Sequence, residues 1–221
     1  MRKILFFLSL FFLFSCSLRR NVLFWKKKGL CVKRVVVIGF RPVSPVFKGS
    51  SFVRCPIEGE TYRGERVKEE IAERLTEILI AGILEKKLFE IIRPEKVREE
   101  FLDLNKTIDS AKGSLLIDYL RQIGITFRAD AVLIGHIFRW EERKGSSFFS
   151  SSPASVAFDL HMIDVESGKE IFYSKFDKTQ VALTENILEI ETFIRGKGRW
   201  MKAEELARIG IGKMIKKLSK R

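Results

Sequence analysis

The chain has 221 residues, with 41 Lys and Arg against 28 Asp and Glu, a formal net charge of +13. Hydrophobic residues at 46% and aromatic residues at 11% supply a packed core, which excludes a low-complexity disordered chain. With 15 Gly and 5 Pro a collagen-like repeat is excluded, and three Cys are too few for a miniprotein built on disulfides. The expectation is one domain of roughly 150–200 residues with appendages.

The first appendage is at the start of the chain. Met1-Arg2-Lys3 is basic, and Ile4 to Phe14 is apolar except for Ser9. Such a run is too short for a hydrocarbon core that needs roughly 20 helical residues, and reads as a secretory signal over residues 1–15. Leu13-Phe14-Ser15-Cys16 resembles the lipobox of bacterial lipoproteins, although Phe14 stands where a small residue is usual. The resemblance implies cleavage before Cys16 and a diacylglyceryl thioether on it, usually with an acylated amine. Two or more acyl chains hold a protein stably to a bilayer. Ser17 is not the Asp that retains many such lipoproteins in the inner membrane, so the resemblance implies an outer-membrane anchor with the domain facing the periplasm, the inner membrane being the alternative. An uncleaved signal anchor is the alternative.

The positive charge is segregated. Residues 17–34 hold Arg19, Arg20, Lys26, Lys27, Lys28, Lys33 and Arg34 and no acid, and residues 206–221 hold six basic residues and no acid. All 28 acidic residues fall in 35–205, against 26 basic ones, so the domain is slightly acidic. A basic segment behind a lipidated Cys lies partly within a Debye length, about 8 Å, of anionic headgroups. Phe24 and Trp25 suit the membrane interface; a solvated linker is the other reading of the same residues. Nucleic acid is not expected as a partner of an exported chain.

From residue 34 onward the pattern alternates. Arg34 to Phe40 is a β-branched run that reads as a buried, parallel strand. Residues 41–63, with three Pro and two Gly, read as a long loop. Val67, Ile71, Leu75, Ile78 and Gly82 recur at 3.6 spacing and predict a helix over 66–87. A strand over 88–92 is stopped by Pro94, which opens a helix running to about Leu104. A helix over 114–123 follows, then strands over 130–142, 155–165 and 170–181, the last two joined at Ser167-Gly168. A short helix near 184–194 and a helix over 203–218 complete the chain. The fold class expected is α/β: a mixed five-stranded sheet, β-α-β-α-β and then an antiparallel meander, covered by helices and carrying C-terminal helices. The divisions are residues 1–15 (signal), 16–33 (lipidated Cys and basic tether), 34–183 (α/β domain) and 184–221 (C-terminal helical extension).

Recognisable chemistry is scarce. The two His, His136 and His161, fall in strands and belong to no Cys/His spacing that supplies the three or four ligands of a metal site. Gly210-Ile211-Gly212-Lys213 is no phosphate loop: Ala207 stands at the first glycine position, Met214 replaces Ser/Thr, and no strand precedes it. Close helix packing explains those glycines better. No catalytic residue, metal or cofactor is expected, and the protein is read as non-enzymatic. Cys31 and Cys55 remain after lipidation; in an oxidising compartment they form a bridge or stay as free buried thiols.

Val35–Phe40, the long helix, Phe89-Glu90-Ile91-Ile92, Ala129 to Gly135 and the hairpin Leu160–Ser174 together resemble the N-terminal domain of the TolB translocation protein. They also resemble the periplasmic domains of the curli-secretion lipoprotein and of a lipoprotein activator of a penicillin-binding protein. The resemblance spans about residues 34–181. It implies a binding or assembly module of the cell envelope with a protein partner. Phe148-Phe149, flanked by serines, is the candidate partner contact; a loop tip without a contact role is the alternative. The other functions carried forward are a small-molecule or lipid carrier and a component of an outer-membrane secretion complex. A pore itself is disfavoured, since Arg143–Ala154 is too short and polar for membrane hairpins.

Overall fold

The computed structural model describes residues 25–27, 30–45, 47, 49–145, 150–180 and 200–220. Its centre is the strand β3 (Arg34–Pro42), which follows two short strands, β1 (Trp25–Lys27) and β2 (Leu30–Val32), paired antiparallel with each other. A small hairpin, β4 (Phe52–Arg54) and β5 (Thr61–Arg63), precedes the helix α1 (Glu69–Glu85) and the strand β6 (Glu90–Ile92). Helices α2 (Pro94–Glu100), α3 (Leu104–Ser110) and α4 (Ser114–Thr126) lead to β7 (Ala131–Glu141). The short pair β8 (Lys144–Gly145) and β9 (Ser150–Ser152) is followed by β10 (Ser155–Asp164), β11 (Glu170–Thr179) and α5 (Ala203–Ser219).

The main sheet has the order β11-β10-β7-β3-β6. β3 runs parallel to β6 and β7, whereas β7, β10 and β11 form an antiparallel meander. This is the mixed five-stranded sheet expected from the alternation of elements.

Strand alternation assigns the two faces. Val35, Val37, Leu133, Phe158, Leu160 and Met162 pack under α1 and α5. Val36, Ile38, Val132, Ile134 and Ile163 pack under α2–α4, through Val97, Ile108, Leu116, Leu120 and Ile123. On that second face the other end of the sheet is covered by the β4–β5 hairpin: Val53 and Tyr62 lie on Phe138 and Ala157, with the Tyr62 and Phe138 rings stacked at 3.9 Å.

A bulge in β3 sets what points where. The register with β7 shifts between Val37 and Gly39, and Gly39 has φ +91°, where an added Cβ would lie 2.6 Å from Thr76 Oγ1. The Phe40 amide instead donates to Thr76 Oγ1 at 2.8 Å. The extra residue resets the alternation: Phe40 turns to the α1 face, and Arg41 faces the opposite side with His136.

Four expectations change. The helix expected over 94–104 is two helices, because Phe101 turns inward against Tyr119 and Phe127 and ends α2. The loop 41–63 carries the β4–β5 hairpin. The segment read as a tether already contributes to the core, since Val32 is fully buried. Of the two glycines ascribed to helix packing, only Gly210 is tight: an added Cβ would meet Phe176 at 2.6 Å and Phe158 at 2.7 Å, whereas at Gly212 it would meet open space. The helix near 184–194 lies outside the described residues.

Candidate functional site

The α2–α4 face of the sheet is apolar except for one polar band. Arg41, His136 and Asp159 are register partners across β3, β7 and β10, so their side chains share a row. His161 lies two residues beyond Asp159 and therefore on the same face. Cys55 approaches from above, in the turn between β4 and β5. That turn is closed by the Cys55 amide donating to Glu60 O at 2.8 Å and the Gly59 amide to Cys55 O at 3.0 Å, with Gly59 at φ +74°. Cys55, His136, Asp159 and His161 are all buried, and one ligand atom from each lies within 4.8 Å of those of the others.

Each imidazole is oriented by a carboxylate. The His136 amide and Nδ1 both donate to Asp159 Oδ1, at 3.1 and 3.0 Å. His161 Nδ1 donates to Glu170 Oε1 at 2.5 Å, which leaves Nε2 facing the cluster, 3.6 Å from Cys55 Sγ and 2.9 Å from Asp159 Oδ2. The contact to Asp159 Oδ2 is close but not aligned as a hydrogen bond; Asp159 Oδ2 and His136 Nε2 are both buried without a hydrogen-bond partner.

The hairpin is clamped over this band. Tyr62 and Tyr173 donate to Glu60 Oε2 at 2.9 and 3.1 Å, and Lys175 reaches Glu60 Oε1 at 2.5 Å. Arg139 adds a second clamp, donating to Arg63 O, Ser155 Oγ and Asp177 Oδ1. Beside the cluster a cavity of about 130 Å³ is lined by Arg41, Arg54, Ile108, Asp109, Lys112 and His136.

Burial by itself disfavours every charge here. It would lower the His161 pKa, but the interactions of the imidazole with Asp159, Cys55 and Glu170 outweigh it and raise it to about 12. The His136 pKa is raised for the same reason, against burial, by the charge and hydrogen bond of Asp159. Burial would raise the Asp159 and Cys55 pKa values; the two histidines outweigh it and hold both below their ordinary values. Without a ligand the cluster is thus a buried set of paired charges. Burial, then the Glu170 charge, pushes Glu58 up at the outer edge.

Two chemistries use such a set. Cys, two His and a carboxylate are the donors of a four-coordinate zinc site. A Cys–His–carboxylate relay also activates a nucleophile, but a nucleophile must reach its substrate, and Cys55 is 3% exposed beneath the hairpin.

The sequence reading of two unconnected strand histidines is corrected: their ring centroids lie 5.4 Å apart. Of the two alternatives for Cys55, the structure has the free thiol rather than the bridge to Cys31. Cys31 lies in β2. Cys16, Phe148 and Phe149 lie outside the described residues. The spacing of the four cluster residues carried no motif. The one local signal is the pair Asp159 and His161 on a single face of a strand that is buried throughout.

No protein-family model matches the chain, and no curated protein matches it. Solved structures of similar fold exist. A single-substitution variant of the PelC dodecamer from Paraburkholderia phytofirmans aligns at 12% identity and TM-score 0.44, covering 86% of this chain and 90% of that one. The LpoB C-terminal domain from Salmonella enterica aligns at 13% identity and TM-score 0.39, covering 73% and 87%. A lipoprotein from Neisseria meningitidis aligns at 13% identity and TM-score 0.39, covering 73% and 95%.

Proposed function

We propose that the chain is a lipid-anchored protein of the cell envelope, tethered through Cys16 to the outer membrane, that binds a protein partner and catalyses no reaction. The observation that carries this reading is the order of features along the chain. A basic start, an apolar run and Leu13–Cys16 precede seven basic residues without an acid, and all 28 acids lie beyond them. Lipid chains would supply the hold on the bilayer, and the basic segment would add attraction to anionic headgroups. Phe148 and Phe149, between β8 and β9, are the proposed partner contact.

Metabolic labelling with a tagged palmitate, followed by crosslinking in the native envelope, tests both halves. Wild-type protein takes up label and crosslinks to an envelope protein. Cys16→Ser takes up none, and Phe148→Ala/Phe149→Ala keeps the label but loses the crosslinked product. Label that persists in Cys16→Ser overturns the anchor, and crosslinks unchanged by the Phe substitutions overturn the contact.

A further inference from the structure

We propose that Cys55, His136, Asp159 and His161 form a closed, four-coordinate site for a zinc(II) ion that fastens the β4–β5 hairpin to the sheet. The donor set comes first. One thiolate, two imidazoles and one carboxylate match zinc, which takes S, N and O ligands in a tetrahedron. Calcium and magnesium require oxygen shells that this cluster does not offer.

Geometry comes second. Bonds of about 2.3 Å to sulfur and 2.0–2.1 Å to nitrogen at a tetrahedral angle set the S···N separation at about 3.6 Å. Cys55 Sγ lies 3.6 Å from His161 Nε2. The same construction gives about 3.4 Å for N···O, against 2.9 Å between His161 Nε2 and Asp159 Oδ2, so the ion needs that pair to open by about 0.5 Å. This is a small swing of one carboxylate.

Unmet valence comes third. His136 Nε2 is buried without a partner, and Asp159 Oδ2, fully buried, has only the 2.9 Å ion-pair contact with His161 Nε2 and accepts no hydrogen bond. Buried polar atoms are left unpaired only at a cost, and a cation between them removes it. The outer shell comes fourth. Glu170 Oε1 on His161 Nδ1 is the carboxylate–histidine arrangement that fixes a ligating imidazole with its other nitrogen on the metal.

The four ligands close the shell, so the site is structural: no position remains for a substrate or water. It joins residues 106 apart in sequence and holds down a hairpin of two three-residue strands, which is otherwise marginal. Cys55 binds as thiolate and His136 and His161 as neutral imidazoles, the protons that the ion displaces from these groups going to solvent, and the bound thiolate is shielded from oxidation.

The test uses full-length protein in detergent, stripped with chelator and titrated with Co²⁺ as a spectroscopic stand-in for zinc. The expected result is one equivalent of Co²⁺ per chain with intense tetrahedral d–d bands and a thiolate-to-cobalt charge-transfer band, both displaced by Zn²⁺. Cys55→Ser loses the charge-transfer band and Cys31→Ser keeps it. Glu170→Gln, at the edge of the cluster, keeps the spectrum and weakens binding by about 10–100-fold. No charge-transfer band in the folded wild type overturns the site. A band that survives Cys55→Ser also overturns it. Should Cys55→Ser not fold, the wild-type stoichiometry and the Glu170→Gln shift decide.

Discussion

Gly210 and Gly212 sit two residues apart in the middle of α5, yet the structure predicts opposite outcomes for the same substitution. Replacing either by Ala removes the backbone entropy penalty of a helical glycine, a gain of about 0.8–1 kcal/mol. At Gly212 nothing lies within 4 Å of the new Cβ, so Gly212→Ala keeps the whole gain. At Gly210 the new Cβ would lie 2.6 Å from Phe176 Cδ1 and 2.7 Å from Phe158 Cζ. Phe158 is fully buried, its ring 5.6 Å from that of Phe40 and 5.4 Å from that of Phe176, so it has no room to retreat. Overpacking a filled site costs about 1–3 kcal/mol. Because the helix-propensity gain is common to both, the difference between the two variants isolates that packing cost. Urea and thermal denaturation followed by far-ultraviolet circular dichroism measure it. Gly212→Ala should raise the thermal midpoint by about 2–4 °C, and Gly210→Ala should fall about 1–3 kcal/mol below Gly212→Ala. Equal shifts in the two variants would refute the close approach of α5 to β10 and β11.

Three further outcomes follow from the same packing. Gly64→Ala places a Cβ 1.8 Å from the Phe138 carbonyl oxygen, so it should lift the hairpin from β7, cost at least about 2 kcal/mol and expose the Cys55 thiol to alkylation; a thiol as slow to react as in the wild type would count against it. Asp159→Ala strands the His136 amide and imidazole in the core and removes the carboxylate facing His161 Nε2, and the metal-free variant should be less stable by about 3–5 kcal/mol in urea. Glu204 pairs with Arg208 at 2.7 Å and with Arg74 at 2.7 Å; the Arg208 hydrogen bond, despite some burial, holds its carboxyl below its ordinary value. A depressed folded-state pKa stabilises above the unfolded value, about 4.3, and is lost as pH falls below it. The stability of wild type over Glu204→Gln, at most about 1 kcal/mol at neutral pH, should therefore vanish as the buffer is acidified; a difference independent of pH would contradict it.

The sheet was legible in the sequence because its central strands are long and apolar. Arg34–Phe40 is β-branched, and Val156, Phe158, Leu160 and Met162 alternate; both patterns report burial directly. The hairpin β4–β5 was not legible. Three residues per strand, only one of them buried in each, leave no period to detect among prolines and glycines. The break at Phe101 is a tertiary effect, since only the contacts with Tyr119 and Phe127 turn that residue inward. The cluster escaped for a different reason. Metal motifs are read from short spacings within a loop or helix, whereas Cys55 and His161 are 106 residues apart and His136 and Asp159 are 23 apart. Sheet register brings His136 and Asp159 together, and the hairpin then delivers Cys55. The clue in hindsight is Asp159 and His161 on one face of a strand whose ten residues are all buried, since a polar pair there requires a partner.

The measurement that bears most directly on the buried cluster is the metal content of the full chain, purified from its native source without chelator or added metal. Elemental analysis by mass spectrometry should find about one zinc per chain, falling to background in His161→Ala. Zinc restored to the stripped wild type at about a thousand times its Kd should add about 4 kcal/mol of stability. A protein that emerges free of zinc, and unfolds identically in zinc and in chelator, would contradict the account and leave the four residues as a metal-free network of paired charges.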